Sequence, residues 1–310
     1  LLFRLLRGAG VRGLGGMPVS RPLGAGSLVR PLLAVSRAEL EGWARHHGLQ
    51  WVEDPSNTDT RFARNFLRQQ VMPLLAGYWP QVAGNLARTA AHLREADALL
   101  GELADQDLVA AREPSPWPWL SLPSLRLEPL QMLSEARQRN ALRHWLAPLT
   151  RLPDSEHWAG WACLRDAVDD RAPVWRLQGG ELRRAAGRLW WLSGPWLNSV
   201  HLKAGFAGGQ IYLPGNGLAR WQGRLPSWEL RLAYRQGGER MTLAARGTRD
   251  LKRLLNESGL PPFVRDRLPL LLRGDELLAV ANLPALCTSE VRGRLHWECP
   301  KANLGFELTG

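Results

Sequence analysis

Cysteine is scarce in this chain. Cys163, Cys287 and Cys299 are scattered over 310 residues, with no C-x-x-C pair and no His/Cys group at zinc spacing. That pattern excludes a disulfide-built secreted scaffold and a zinc module, and it fits a reducing cytosol. Lysine is equally rare, at Lys203, Lys252 and Lys301 only. No apolar run reaches the ~18 residues that a membrane span needs. Leu1-Leu2-Phe3-Arg4-Leu5-Leu6-Arg7 has the outline of a secretion signal, but its arginines break the apolar stretch and no small-residue cleavage site follows. The motifs G-x-x-x-x-G-K-[ST], G-x-S-x-G and H-E-x-x-H are all missing, which removes a P-loop, a hydrolase elbow and a zincin helix. Gly8-Ala9-Gly10-Val11-Arg12-Gly13 matches G-x-G-x-x-G, yet it follows a helix-like segment and not a strand, so it fails the dinucleotide fingerprint. The seven His are dispersed; His46 and His47 end a helix, where a cation suits the dipole. No carboxylate cluster argues for a metal.

What the chain does have is arginine. The net charge is +11, and residues 1–80 hold ten Arg against five acids. Residues 225–275 carry a second excess, and the middle is nearly balanced. Arginine suits planar, bidentate phosphate contacts. A GC-rich genome explains the Arg/Lys ratio as well, but not the net charge. The charge therefore points to a polyanionic partner, most simply nucleic acid. Length suggests two or three domains.

The pattern of residues predicts the following elements. Leu1–Arg7 reads as the end of a helix, stopped by Gly8 and Gly10, and residues 8–30 read as a loop. With no Met ahead of it, the chain is expected to be N-terminally incomplete. Ser36-Arg37-Ala38-Glu39 is a capping box opening a helix that Gly48 closes. Asp54-Pro55-Ser56-Asn57 is a turn, and a helix from Asp59 to Leu75 follows. One long helix covers 80–112, and Pro114–Pro118 is a linker. Helices at 129–147 and 155–168 precede strands at 174–177 and 182–192. Residues 194–227, rich in Gly and Pro, read as a domain boundary. Trp228–Arg235 reads as a strand, Gly237-Gly238 as a turn and 249–258 as a short helix. Strands near 269–272 and 277–281 come next, and the tail after Pro284 gives no pattern.

Two arginine groups stand out. On the 59–75 helix, Arg61, Arg64, Asn65 and Arg68 fall within one stripe. A solvated helix face is the plain alternative, weakened by the lack of nearby acids. The second group is Arg235, Arg240, Arg246, Arg249, Lys252 and Arg253, around the Gly237-Gly238 turn. A strand–turn–helix unit there would offer backbone N–H groups and guanidiniums to an RNA backbone.

At these residues the chain resembles the bacterial tRNA(Ile)-lysidine synthase family. The likeness runs through Leu5-Leu6-Arg7-Gly8-Ala9-Gly10-Val11-Arg12-Gly13-Leu14, Trp51-Val52-Glu53-Asp54-Pro55-Ser56-Asn57 and Arg64-Asn65-Phe66-Leu67-Arg68. It continues in Gly237-Gly238-Glu239-Arg240 and in Arg265-Asp266-Arg267-Leu268-Pro269-Leu270. The resemblance implies a multidomain α/β and α+β fold. The end of a PP-loop ATPase domain (adenine nucleotide alpha hydrolase-like) would occupy 1–80, and a linking helix 81–113. A helical α+β tRNA-binding domain would occupy 120–195, and a small β-rich C-terminal tRNA-binding domain 225–300.

It also implies a reaction. ATP, with Mg, adenylates C2 of the wobble cytidine in a tRNA(Ile) with a CAU anticodon, and free L-lysine displaces AMP. No tightly bound cofactor or membrane is implied, the setting is cytoplasmic, and a homodimer is compatible. Arg64 and Arg68 are the implied catalytic-site residues. Arg4, Arg7, Asp54, Asn57, Arg61, Asn65, Arg235, Arg240, Arg246, Lys252, Arg253, Arg265 and Arg267 are the implied substrate or tRNA contacts. The family's S-G-G-x-D-S loop for ATP is not in the chain, so the chain alone is expected to bind tRNA weakly and not to turn over. The rival readings are a non-catalytic RNA-binding module and another PP-loop tRNA-modifying enzyme such as a thiolase.

Overall fold

The computed structural model describes residues 1–152, 158–168, 172–224, 229–244, 246–291 and 293–302. The chain forms two compact units, Leu1–Leu103 and Ala104–Gly310, with the boundary inside one long helix.

Unit 1 begins with two single-turn helices, α1 (Leu2–Leu5) and α2 (Val11–Leu14). A hairpin of β1 (Ser20–Leu23) and β2 (Gly26–Val29) follows, so residues 8–30 are not the plain loop expected. Gly24, at φ 56°, supplies the left-handed residue that so tight a hairpin requires. The helix α3 (Arg37–His46) opens on the predicted capping box: the Glu39 amide donates to Ser36 Oγ at 3.2 Å, and the Ser36 amide to the Glu39 carboxylate at 2.8 Å.

The predicted 59–75 helix is shorter and compound. It consists of α4 (Ala63–Phe66), a π turn over Leu67–Val71 and α5 (Met72–Tyr78). Asp59 delays its start by accepting the Arg61 amide at 3.0 Å, a local bond that competes with the helical one. Pro73 has no N–H to give the preceding turn, and the backbone widens just ahead of it. The long helix α6 (Val82–Leu108) passes close to Gly15, where a Cβ would stand 2.8 Å from Arg94 Cγ; the Arg94 guanidinium donates to the Gly15 carbonyl at 2.6 Å. Ala90 is the buried hydrophobic residue of this unit, while Trp43, Phe62, Phe66 and Leu74 are exposed.

Unit 2 is built around a strand buried on both faces. After β3 (Ser124–Arg126) come helices α7 (Leu127–Gln131), α8 (Glu135–Leu146) and α9 (Ala159–Asp166). Strands β4 (Val174–Leu177), β5 (Gly180–Ala185) and β6 (Arg188–Ser193) complete an antiparallel sheet in the order β3-β6-β5-β4. Successive side chains of a strand point to opposite faces. Leu189 and Trp191 therefore enter one core, with Leu142, Trp161 and Leu164, while Trp190 and Leu192 enter a second. That accounts for the unbroken Leu-Trp-Trp-Leu run. The predicted 129–147 helix is two helices, interrupted at 132–134, and the start expected at 155 lies outside the described residues.

The second core gathers three further sheets. Strands β7 (Lys203–Gly205), β8 (Gln210–Leu213) and β9 (Gly217–Gly223) occupy the stretch expected as a boundary. Its glycines mark turns between short strands, several at positive φ. After β10 (Arg231–Ala233) a hairpin of β11 (Arg240–Leu243) and β12 (Gly247–Asp250) precedes α10 (Leu251–Glu257) and α11 (Pro262–Arg265). Strands β13 (Leu270–Arg273), β14 (Glu276–Val280) and β15 (Gly293–Glu298) close the unit, the last in the tail that showed no pattern. The sheets run β14-β13-β10-β7 and β15-β9-β8. The expected linker is packed as well: Trp117 lies 6.2 Å from Trp190, Trp119 lies 5.8 Å from Trp297, and Leu120 and Leu122 are buried.

Candidate functional site

In unit 1 the predicted turn and the predicted arginine stripe meet. Asp54 caps a 3-10 turn, Pro55–Thr58, by accepting the Ser56 amide at 2.8 Å. That bond holds the Asp54 carboxyl below its usual range. The compound helix then grips the turn from outside. Asn65 Nδ2 donates to the carbonyls of Ser56 (2.8 Å) and Asp59 (3.0 Å). Arg68 and Gln69 both donate to the Asn57 carbonyl, at 2.8 and 2.6 Å. The π turn brings these two consecutive side chains round to a single acceptor.

The stripe is thus divided by role. Arg61 lies ahead of the helix and is bidentate on Asp59, whose carboxyl it holds low, with a shortest contact of 2.7 Å. Arg68 and Asn65 face the turn. Arg64 is exposed and has no hydrogen-bonding or acidic partner among the described residues. It lines a cavity of about 380 Å³ with Leu1, Phe3, Leu67, Arg68 and Met72. Arg4 is committed to the carbonyls of Gly13 (2.7 Å) and Gly16 (3.3 Å), and Arg7 lies 5.4 Å above the Phe3 ring. Gln69 escaped the sequence reading because consecutive residues of an ordinary α-helix face apart, and it is the π turn that brings Gln69 and Arg68 to one acceptor.

In unit 2 Arg235, Lys252 and Arg253 of the second group line a cleft of about 490 Å³ between the Gly237-Gly238 turn and α10. Glycine is required at the turn, where φ is 100° and 85°. The amides entering it are already used. The Glu239 carboxylate folds back and accepts from Gln236 N (2.5 Å) and Gly237 N (2.9 Å). The guanidiniums are mostly used too. Arg235 faces Asp266 (3.4 Å) and Glu239 (3.9 Å), and Arg240 faces Asp250 (3.8 Å). Arg246 and Arg253 share Glu257, at 3.1 and 3.0 Å. Lys252 has no hydrogen-bonding or acidic partner among the described residues and lines the cleft.

Arg265 donates to Leu260 O at 2.7 Å and to Asn256, and burial lowers its pKa. Arg267 is a correction. It is 5% exposed, donates to the carbonyls of Pro195 (2.7 Å) and Asn198, and lies 5.1 Å over the Trp196 ring. A guanidinium closed in by carbonyls and an indole holds the fold together and is not offered to a nucleic acid. Among the described residues no three His, Cys, Asp or Glu side chains converge as metal ligands, and no helix is long and apolar enough to cross a membrane.

Comparison with known proteins decides the family. The chain is 61% identical to a tRNA(Ile)-lysidine synthase of Pseudomonas fluorescens over 301 residues, covering 96% of the chain and 68% of that protein. The chain belongs to the tRNA(Ile)-lysidine synthase family. A lysidine synthase of Pseudomonas aeruginosa is 60% identical over 99% of the chain and 70% of its own length. One of Escherichia coli O157:H7 is 35% identical over 91% of the chain and 66% of its own length. Within the family's pattern, residues 1–75 match a PP-loop domain, 125–190 a TilS substrate binding domain and 230–298 a TilS substrate C-terminal domain. The PP-loop match carries the turn and its clamp, and the C-terminal match carries the second arginine cleft.

Proposed function

We propose that the chain acts in the ATP-dependent ligation of lysine to C2 of the wobble cytidine of tRNA(Ile), by way of an adenylated tRNA. The observation that carries this is the 57–61% identity to four proteins named tRNA(Ile)-lysidine synthase, spread over nearly the whole chain. In this reading residues 1–80 border the site of chemistry, 81–113 form the connecting helix, and 120–195 and 225–300 hold the tRNA.

Arg64 is the guanidinium available to an anion, whether a phosphate of ATP or of the tRNA. A cation placed where phosphoryl charge develops stabilises the transition state, and it does so most when the cation is not already neutralised by a carboxylate. Arg68 and Asn65 act on the Asp54–Asn57 turn and shape the edge of that site. Arg235, Arg240, Arg246, Lys252 and Arg253 supply the positive rim of the C-terminal cleft. The charge-paired members exchange a carboxylate for a phosphate on binding, which weakens their net contribution. Arg267 is left out because it is buried. The described residues do not fit a resident metal, so no step is assigned to one.

The test is retention of a tRNA(Ile) transcript with a CAU anticodon by the 310-residue chain, in competition with unstructured RNA of equal length. Preferential retention of the transcript, lost when the wobble cytidine is changed, is the expected result. Equal retention of both RNAs would overturn the proposal.

A further inference from the structure

The β8-β9-β15 sheet has a free outward face that the arginine-rich segments did not predict. Alternation sends Ile211, Leu213, Ala219, Trp221, Leu295 and Trp297 into the core. Gln210, Tyr212, Arg220, Gln222, Arg294 and His296 are left on the other side. The register is fixed at both ends by glycine. A Cβ on Gly217 would stand 2.0 Å from Glu298 O, and one on Gly293 would stand 2.3 Å from the Trp221 ring. A slip of one residue would exchange the two faces, so the pattern cannot drift.

Arg220, on the central strand, stands opposite Gln210 on one side and His296 on the other. Arg294 stands opposite Gln222, diagonal to Arg220. Diagonal neighbours are roughly 7–8 Å apart, a separation that two long side chains can match to successive phosphates. Tyr212 is 70% exposed at the edge of the same face. The arginines here differ from those of the C-terminal cleft. Among the described residues Arg220 and Arg294 have no acidic or hydrogen-bonding partner, and neither does Arg224 just beyond β9. Glu298, the face's carboxylate, stands opposite Leu218 and diagonal to Arg220, and forms no ion pair with it among the described residues. The His296 Nε2, cross-strand from Arg220, is buried without a hydrogen-bonding partner among the described residues and is not itself offered to a ligand.

We propose that this face binds RNA, with Arg220 and Arg294 on backbone phosphates and Tyr212 stacked on an unpaired base. An unpaired guanidinium releases condensed counterions from RNA without first giving up a carboxylate. An exposed aromatic ring beside it accepts any base by its π-face. A flat antiparallel sheet holds these groups in fixed geometry without a conformational change. The proposal rests on the tRNA-directed reading above and adds a surface to it.

Salt titration of tRNA(Ile) binding by the full chain tests it. Arg220→Gln with Arg294→Gln should lower the log–log salt slope by roughly 1.5, and should weaken binding at low salt on the order of tenfold. Tyr212→Ala should weaken binding roughly fivefold or more with the slope unchanged, and Tyr212→Phe should restore it. A double variant with wild-type slope and affinity overturns this surface, while a wild-type chain that retains no tRNA overturns the tRNA-directed reading itself. Photo-crosslinking of 4-thiouridine tRNA to the wild-type chain needs no variant. Label in the 210–224 or 293–298 peptides supports the surface, and its absence from both counts against it.

Discussion

Asn216→Ala is the substitution whose cost can be worked most directly from the structure. Asn216 is 0% exposed, in the turn between β8 and β9. Its Nδ2 donates to the Tyr234 hydroxyl at 2.9 Å and to the Arg267 carbonyl at 2.8 Å, and its Oδ1 accepts from the Arg267 guanidinium at 3.2 Å. Its own carbonyl takes the Trp297 indole N–H at 2.7 Å, and that bond survives the substitution. Alanine therefore orphans the Tyr234 hydroxyl and the Arg267 carbonyl where water has no access, and leaves Arg267 Nη1 with the Gly215 carbonyl at 3.4 Å alone. Each unsatisfied group costs about 1–3 kcal/mol, and partial relaxation brings the sum to roughly 3 kcal/mol. In a unit of this size that is a fall in Tm of roughly 6–12 °C. Tyr234→Phe removes one partner and leaves Asn216 bonded to Arg267, so it should cost about 1 kcal/mol. Because the two share a bond, the double variant should cost about 1 kcal/mol less than the sum of the singles. Urea denaturation followed by tryptophan fluorescence reads all three. Strict additivity, or a loss under about 1 kcal/mol for Asn216→Ala, would refute the account of this network as the fastening between the Pro195–Asn198 segment and the C-terminal strands.

Other outcomes follow from the same geometry. Burial raises the Tyr234 hydroxyl, opposed by its Asn216 bond and by Arg267. A raised acid holds its proton longer in the folded state, so its contribution is intact below the unfolded pKa of about 10 and is lost as pH rises past it. Unit 2 should therefore melt earlier at pH 11 than at pH 8, and Tyr234→Phe should reduce that difference; the half-buried Cys287 and buried Cys299 thiols, also raised, add to it. Gly217→Ala combines a φ of 81° with a 2.0 Å approach to Glu298 O and should cost roughly 3 kcal/mol or more, seen as loss of soluble folded chain. Gln69→Ala and Asn65→Ala should speed amide exchange at Asn57 and Asp59, whereas Arg64→Ala should leave it unchanged. Equal exchange in all three would remove the clamp.

Much of the architecture was legible because it depends on local or periodic signals. The Ser36 capping box and the long helix α6 are examples, whereas the strand expected over 182–192 is a hairpin of β5 and β6 that turns at Ala186-Gly187. What misled was composition. The glycines and prolines of 194–227 suggested a boundary, but they serve the turns of three short strands whose alternation is too brief to stand out. Pro114–Pro118 suggested a linker, but Trp117 and Trp119 anchor it in the core. The 59–75 helix was placed correctly but begun too early, because Asp59 turns its carboxylate onto the Arg61 amide and Pro73 opens the later turn.

The arginines carry the larger lesson. A sequence scores each as one positive charge, and density picked out 235–253. The fold sorts them by what already holds them. Arg235, Arg240, Arg246 and Arg253 each face a carboxylate 11 residues or fewer away along the chain, and Arg267 is enclosed by carbonyls brought in from the Pro195–Asn198 segment. Arg64 of the first stripe, and Arg220 and Arg294, which local density did not pick out, form no ion pair among the described residues. Polyanion binding depends on charge that can be transferred to phosphate, so acid-free arginines on rigid elements contribute more per residue than a dense but self-neutralised cluster. On that argument the proposed contacts are Arg64 in unit 1 and, separately, the β8-β9-β15 sheet in unit 2, while much of the charge of 235–253 is already paired within the fold.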